Sequence, residues 1–272
     1  MNGIIINVDP VIFRIGFLEL RWYGLIIILA VLAAVLITAH RLKKKGIPTK
    51  DISSVAPWML IGAIVGARLF HVADHWAHYM SYPAQVFYLQ QGGLAIWGGL
   101  IGAAIGTIIC ARIKHIPLGR LGDALAPGLL VAFIIGRIAC IINGDAYGGV
   151  TSLPWGFIYI HPGASIPPHL FGIPTHPYPL YEIIWNAVTL LVIGKLGYRF
   201  EKDGMLFLSY VSLYSLGRLV LTFVRQENIT LWGLQQAQVI SMFALVSSVI
   251  AIIYLARKRV PLENEPEPMT SA

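Results

Sequence analysis

Charge is what this sequence has least of. Only 12% of its 272 residues are Asp, Glu, Lys or Arg, where roughly a quarter is usual for a soluble domain. With 57% hydrophobic residues and a mean hydropathy of +0.71, that scarcity excludes a disordered chain and an ordinary soluble enzyme. It points to a membrane protein. Cysteine is scarce too. Cys110 and Cys140 both fall in apolar runs, which excludes a disulfide framework. No basic segment precedes the first apolar stretch, and Arg14, Glu19 and Arg21 interrupt it, so the N-terminus does not read as a signal peptide. Clusters of His, Cys, Asp and Glu at metal-ligand spacing are missing; the pair His71/His75 comes closest and reads as interfacial. Neither a metal nor a cofactor is expected.

What is present is long apolar runs. A helix needs about 20 apolar residues to cross the hydrocarbon core. Seven segments qualify: 22–39, 53–73, 93–111, 121–142, 179–198, 205–224 and 238–256. The fold class expected is an all-α polytopic membrane protein with seven transmembrane helices and a small external cap. Gly62, Gly66, Gly98, Gly102 and Gly106 recur at four-residue spacing, which lets helices pack closely. Pro127 is expected to kink the fourth span. Residues 9–20 read as an interfacial segment leading into the first span. The connection 143–178, rich in proline and glycine, is too long for a turn. It is expected to form the external cap, with short strands around 155–160. Residues 1–259 form one membrane-embedded domain in this reading, followed by a disordered cytoplasmic tail at 260–272, which is polar and carries Glu and Pro.

The basic residues set the orientation. Of 20 Lys and Arg, 13 fall in alternate connections, after the first, third, fifth and seventh spans. The positive-inside rule then places the N-terminus outside and the C-terminus in the cytoplasm. The net charge of +7 is explained by this asymmetry and by anionic lipid, so no nucleic acid partner is expected.

Three arginines break the pattern: Arg68, Arg137 and Arg218 lie inside spans. An arginine at mid-bilayer costs at least about 2.5–3.5 kcal/mol on insertion scales. No span carries an obvious carboxylate to neutralise them, and Asp123 lies near the opposite end of its span from Arg137. Three unpaired arginines look like a site for an anion, although an arginine near a helix end also snorkels to the interface. Tyr214, Arg218 and Arg225 share a helix face, and so do Arg68, His71 and His75. Tyr23 and Trp97 open the first and third spans on the same outer side, where an aromatic belt is the plain alternative. Guanidinium forks match phosphate, and a phosphate at that depth is most simply a phospholipid headgroup of the outer leaflet.

Five stretches carry a family resemblance, in order along the chain. They are DPVIF at 9–13 followed by RWYGL at 21–25; GGLIG at 98–102; GRIACIINGDAYG at 136–148; HPYPLYE at 176–182; and Tyr214, Gly217, Arg218 with FVRQ at 223–226. Together they resemble the bacterial prolipoprotein diacylglyceryl transferases. The resemblance implies a transferase of the bacterial cell membrane that moves the diacylglyceryl group of phosphatidylglycerol onto the lipobox cysteine of a prolipoprotein signal peptide. A thioether forms and glycerol phosphate leaves. The partners implied are phosphatidylglycerol, membrane lipid and the prolipoprotein.

The resemblance also implies roles. Arg137, Arg218, Tyr23 and Asp145 form the catalytic set. Arg137, Arg218, Arg225, Tyr214, Asn143, Gly148, Trp97, Gly98 and Gly99 form the phospholipid-binding set. Departures stand beside these. Trp97 occupies a position where many members carry histidine, Cys140 stands for asparagine, Asp145 for glutamate and Thr222 for glutamate. A tryptophan accepts no proton, so the base is Asp145, His176 or water near an arginine. Glu182, near the outer end of its span, reads as a cap or as the partner of an arginine. The competing readings are an anion or lipid-headgroup transporter and a non-catalytic lipid-binding relative.

Overall fold

A computed structural model describes residues 3–16, 18–88, 93, 95–197, 199–200, 202–225, 229–231 and 233–257. The expected tail at 260–272 lies outside the described residues. Among those described, eight α-helices dominate: α1 (Trp22–Lys44), α2 (Thr49–Asp74), α3 (Trp76–Ser81), α4 (Ile96–Ile113), α5 (Leu118–Asn143), α6 (Tyr178–Leu196), α7 (Met205–Leu221) and α8 (Gln236–Arg257). Five are long and apolar enough to cross a membrane: α1, α2 from Ser53 to Asp74, α5, α6 and α8. α7 and the part of α4 from Gly98 to Ile113 are shorter apolar helices. Pro127 lies within α5, which continues through it as one helix.

The helices run beyond the apolar runs that announce them. α1 continues five residues past the expected end, to Lys44, because backbone hydrogen bonding does not stop where hydrocarbon stops. Its basic last turn, Arg41, Lys43 and Lys44, suits the negative end of the helix dipole. Residues 9–20 prove to be a hairpin, with β2 (Val11–Ile15) antiparallel to β3 (Leu18–Arg21). The charges that interrupt the apolar run pair on it, Glu19 meeting both Arg14 and Arg21 at 3.1 Å. In the connection 143–178 one strand forms, β4 (Phe157–Tyr159), inside the interval expected. It lies parallel to β1 (Ile4–Ile6). A third small ladder pairs β5 (Ile229–Leu231) with β6 (Leu234–Gln235).

Charged contacts gather one set of helix ends. Asp123, near the start of α5, accepts the backbone N–H of Gly204 and of Phe207 at 2.9 Å each, capping the positive end of α7. Lys45 reaches Asp123 at 3.6 Å, and Arg120 meets Asp203 at 2.7 Å. Lys114, after α4, meets Asp51 on the first turn of α2 at 3.6 Å. Lys202 donates to the carbonyls of Leu255 and Ala256 at the end of α8. The opposite set of ends carries the hairpin, β1, β4 and the arginines.

Packing divides the helices unevenly. α2 and α4 lie backbone to backbone. A Cβ placed on Gly62, Gly66, Gly98, Gly102 or Gly106 would run into the facing backbone; at Gly102 it would lie 2.9 Å from the Gly66 Cα. α5 packs on α1, α6 and α7. Where the two groups meet at the basic end, Leu42, Val55, Cys110, Ala111, Ile116, Leu121 and Ala124 form one buried cluster.

Candidate active site

The end of α5 and the starts of α1 and α6 converge with the end of α7, because antiparallel neighbours bring these termini to one side. Arg137 (α5) and Arg218 (α7) are each 17% exposed at the side chain, and Glu182 (α6) is 6% exposed. The premise that these arginines lack a carboxylate is corrected here. Arg137 Nε pairs with Glu182 Oε2, and Arg218 Nη1 donates to Glu182 Oε1 at 2.8 Å. Glu182, read from the sequence as a cap or as the partner of an arginine, is the partner of two of them.

Tyr178 is the hub, and it was missed as a site residue although it sits in the HPYPLYE motif. It is fully buried. Its hydroxyl donates to Glu182 Oε1 at 2.8 Å and accepts from Arg218 Nη1. The guanidinium carbons of Arg137, Arg218 and Arg225 stand 5.8, 5.8 and 5.2 Å from its ring centroid. A cation over an aromatic face is attracted to the ring quadrupole, so one tyrosine gathers three like charges. Glu182 is in hydrogen-bonding contact with two of these arginines, Arg137 and Arg218. The four-residue spacing of Tyr178 and Glu182, which puts both on one helix face, was the signal available.

Tyr214 stacks on Phe133 of α5, centroids 5.0 Å apart, and lies within electrostatic reach of Glu182, Arg218, Arg137 and Arg225. Beside the cluster is a cleft of about 180 Å³, lined by Glu182, Trp185, Asn186, Tyr214, Gly217 and Arg218. Trp185 donates to the Leu213 carbonyl at 2.9 Å, and its indole occupies the space a side chain at Gly217 would need.

On the other side of Arg137 stand Cys140, Tyr23 and Asp145. Arg137 Nη1 lies 3.7 Å from Cys140 Sγ. Tyr23 is within electrostatic reach of Cys140, Asp145 and Arg137. Asp145 is exposed. Next to it Tyr159 of β4 donates to the Ile141 carbonyl at 3.1 Å; burial, then Asp145 and Cys140, push its phenol well above the ordinary value.

The loop after α5 is built from close backbone approach. Gly144 ends α5 with a left-handed φ of 76°, and the Asn143 carbonyl accepts from Ser165 at 2.8 Å. Gly148 donates to the His176 carbonyl at 3.0 Å, and a Cβ there would lie 2.7 Å from His176 Cβ and 2.8 Å from the Val224 carbonyl. Its lack of a side chain serves this three-way junction. His176 Nδ1 lies 3.3 Å from the Tyr181 hydroxyl, which also accepts from Trp155.

The structure thus brings together Arg137, Arg218, Arg225 and Tyr214 around Tyr178, with Tyr23 and Asp145 alongside and Asn143 and Gly148 in the adjoining loop. It places Gly98 and Gly99 on the seam with α2, against Gly66 and Phe70 and against Ala67. Trp97 stands in the first turn of α4; its side chain lies outside what is described. Arg68 belongs to a different arrangement. It is 6% exposed and donates to the carbonyls of Gln85, Val86, Tyr88 and Gly93, with its guanidinium 5.3 Å from the Tyr79 ring centroid.

Residues 10–254 match the prolipoprotein diacylglyceryl transferase family. The chain belongs to that family. It is 37% identical over 255 residues to the phosphatidylglycerol–prolipoprotein diacylglyceryl transferase of Dehalococcoides mccartyi, covering 93% of this chain and 96% of that protein. It is 34% identical over 262 residues to the protein of that name from Nostoc sp., covering 94% and 92%. With the one from Clostridioides difficile it shares 32% identity over 250 residues, covering 92% and 96%. The arginine cluster therefore sits in a diacylglyceryl transferase framework that extends over nearly the whole chain.

Proposed function

We propose that this chain is a phosphatidylglycerol–prolipoprotein diacylglyceryl transferase and that the group around Tyr178 is where the phosphate of the lipid binds. The observation that carries the reading is the three guanidiniums gathered on one buried ring, with Glu182 bonded to two of them. Such an arrangement, inside apolar helices, favours an anion that carries its own hydrocarbon.

In the reaction the lipobox thiol attacks the diacylglyceryl carbon bound to phosphate. The S–C bond forms as the C–O bond breaks, and glycerol phosphate leaves with the bonding electrons. Arg137 and Arg218 stabilise the charge that grows on the leaving oxygen; such preorganised stabilisation is commonly the largest single contribution to catalysis. Glu182 holds both guanidiniums in orientation, and Arg225 closes the rim. The same positive field lowers the thiol pKa. Asp145, exposed beside Tyr23 and Cys140, takes the thiol proton; Glu182 is already committed to two arginines. Trp97 in place of a histidine is compatible with this scheme. Seven helices, α1, α2 and α4 to α8, cross the bacterial cell membrane. The N-terminus and the cap at 143–178 face outside and the C-terminus faces the cytoplasm, as the basic connections suggest. Both substrates are membrane-anchored and enter sideways, through a lateral opening between helices.

The test is lipid transfer in detergent micelles, with phosphatidylglycerol, a lipobox peptide and wild-type protein beside Arg137→Ala and Arg218→Ala. The expected product is peptide heavier by one diacylglyceryl group, formed by wild type and lost in both variants. Folded wild type that binds phosphatidylglycerol without forming product would make the chain a lipid-binding relative instead.

A further inference from the structure

An open-sided apolar cavity lies away from the arginines, between α1, α2 and α5. It has about 430 Å³ of empty space and is lined by Ala34, Thr38, Ala56, Met59, Leu125 and Leu129, among others. Thr38 supplies a polar side chain to the lining, and its hydroxyl is already spent on the Ala34 carbonyl at 2.7 Å. The cavity therefore offers nothing to a polar ligand.

Its depth is what gives it meaning. α5 rises about 1.5 Å per residue, so Leu129 and Leu125, eight and twelve residues before Arg137 in the chain, lie roughly 12 and 18 Å below the arginine. The hydrocarbon core of a bilayer is about 30 Å thick, so the chains of one leaflet reach roughly 15 Å down. The cavity is thus where the tail of an acyl chain ends when its phosphate sits at Arg137. The same helix faces link the two places. On α1 Tyr23, Ile27, Ala34 and Thr38 follow helical spacing, and on α5 so do Cys140, Gly136, Leu129 and Leu125. The space above Gly136 meets Ile27 Cδ1 at 3.6 Å, which ties the two faces together part-way down.

The cavity also has a floor. Leu42 and Val55 line it and belong to the buried cluster at the basic end, with Leu121 and Ala124 behind them. Leu42 is 0% exposed. A chain entering from the arginine side cannot extend past this cluster without unpacking it.

We propose that this cavity seats the end of one acyl chain of the phospholipid substrate and gauges its length. The inference rests on the phosphate being held at Arg137. A chain that is too long for the floor lifts its phosphate from the guanidiniums or bends out into the bilayer, and either lowers productive binding.

Full-length protein in detergent would be tested with dilauroyl-, dimyristoyl-, dipalmitoyl- and distearoyl-phosphatidylglycerol, reading both thermal stabilisation and transfer to a lipobox peptide. Ala56→Phe fills the cavity. It is expected to cut stabilisation and transfer with the distearoyl lipid roughly tenfold relative to the dilauroyl lipid, the size of discrimination a close-fitting apolar pocket achieves. Met59→Ala enlarges the cavity and is expected to shift the preference the other way; it decides the question alone if Ala56→Phe does not fold. Chain-length profiles of both variants equal to wild type would overturn the gauge, even if transfer is intact. Shifted stabilisation profiles with no transfer by any protein would leave the gauge standing and overturn the transferase reading.

Discussion

Two places in this molecule bury arginine among apolar helices, and they satisfy it in opposite ways. Arg68 is surrounded by backbone carbonyls of the chain segment after α3. Those acceptors are neutral and fixed, and they use the donors that a guanidinium offers in its planar fork. Arg137 and Arg218 instead share side-chain partners, Glu182 and Tyr178. Those partners are an ionised carboxylate and a phenol on one helix, α6. A buried arginine is therefore not a binding site in itself. The kind of acceptor differs: neutral carbonyls anchor Arg68, while a shared carboxylate holds Arg137 and Arg218, the pair proposed above to receive the phosphate.

The comparison can be broken most severely at the receptor. Arg137→Ala or Arg218→Ala should lower transfer by about 10²–10³, the size of effect seen when one donor to a developing oxyanion is removed. Arg68→Ala should leave the rate per folded molecule within about twofold. A rate assay normalised to folded protein separates the two, and equal losses at all three positions would dissolve the distinction.

Glu182 comes next. Glu182→Ala leaves two largely buried guanidiniums facing each other, and breaking a buried pair this way costs about 3–5 kcal/mol. Glu182→Gln keeps an acceptor for Arg218 and should fold, with transfer reduced but present. Thermal unfolding alongside kcat and KM would show whether Glu182 orients the arginines or only neutralises them. At Arg68 the effect should be confined to stability. Arg68→Ala strands buried carbonyls, each costing about 1–3 kcal/mol when left unmet. Arg68→Lys should recover only part of this, since an ammonium lacks the fork. The smallest effect is expected at Tyr159. Its phenol is pushed up by burial, so it remains protonated across the working range. Tyr159→Phe should cost about 1 kcal/mol for its bond to the Ile141 carbonyl and leave the pH dependence of transfer unchanged.

Much of the fold could be read from hydrophobic runs, because hydrocarbon admits few backbone arrangements besides helices. Each of the seven apolar segments holds a helix, five of them long and apolar enough to cross a membrane and two shorter. Their ends were less legible: α7 stops at Leu221, three residues before the expected end. There the Thr222 hydroxyl turns back to the Arg218 carbonyl, and Gln235 takes the Thr222 and Arg225 carbonyls. The hairpin at 11–21 was hidden because its alternation is short and its charges look like interruptions until Glu19 is seen between Arg14 and Arg21. At the site, the arginines were legible as charges in the wrong solvent. Tyr178 was not, because an aromatic at a span boundary is common and only its three cations single it out.

The sequence by itself determined the membrane character, the helical segments, the family motifs and the arginines that mark the site, since each is a matter of composition or local spacing. Tertiary structure alone decided which arginines share a carboxylate, that Gly98 and Gly99 lie on the α2 seam, and that α1, α2 and α5 leave an apolar space between them. Those depend on which helix faces meet. Helices distant in the chain are brought side by side by packing, and no local pattern in one of them encodes the neighbour it will find.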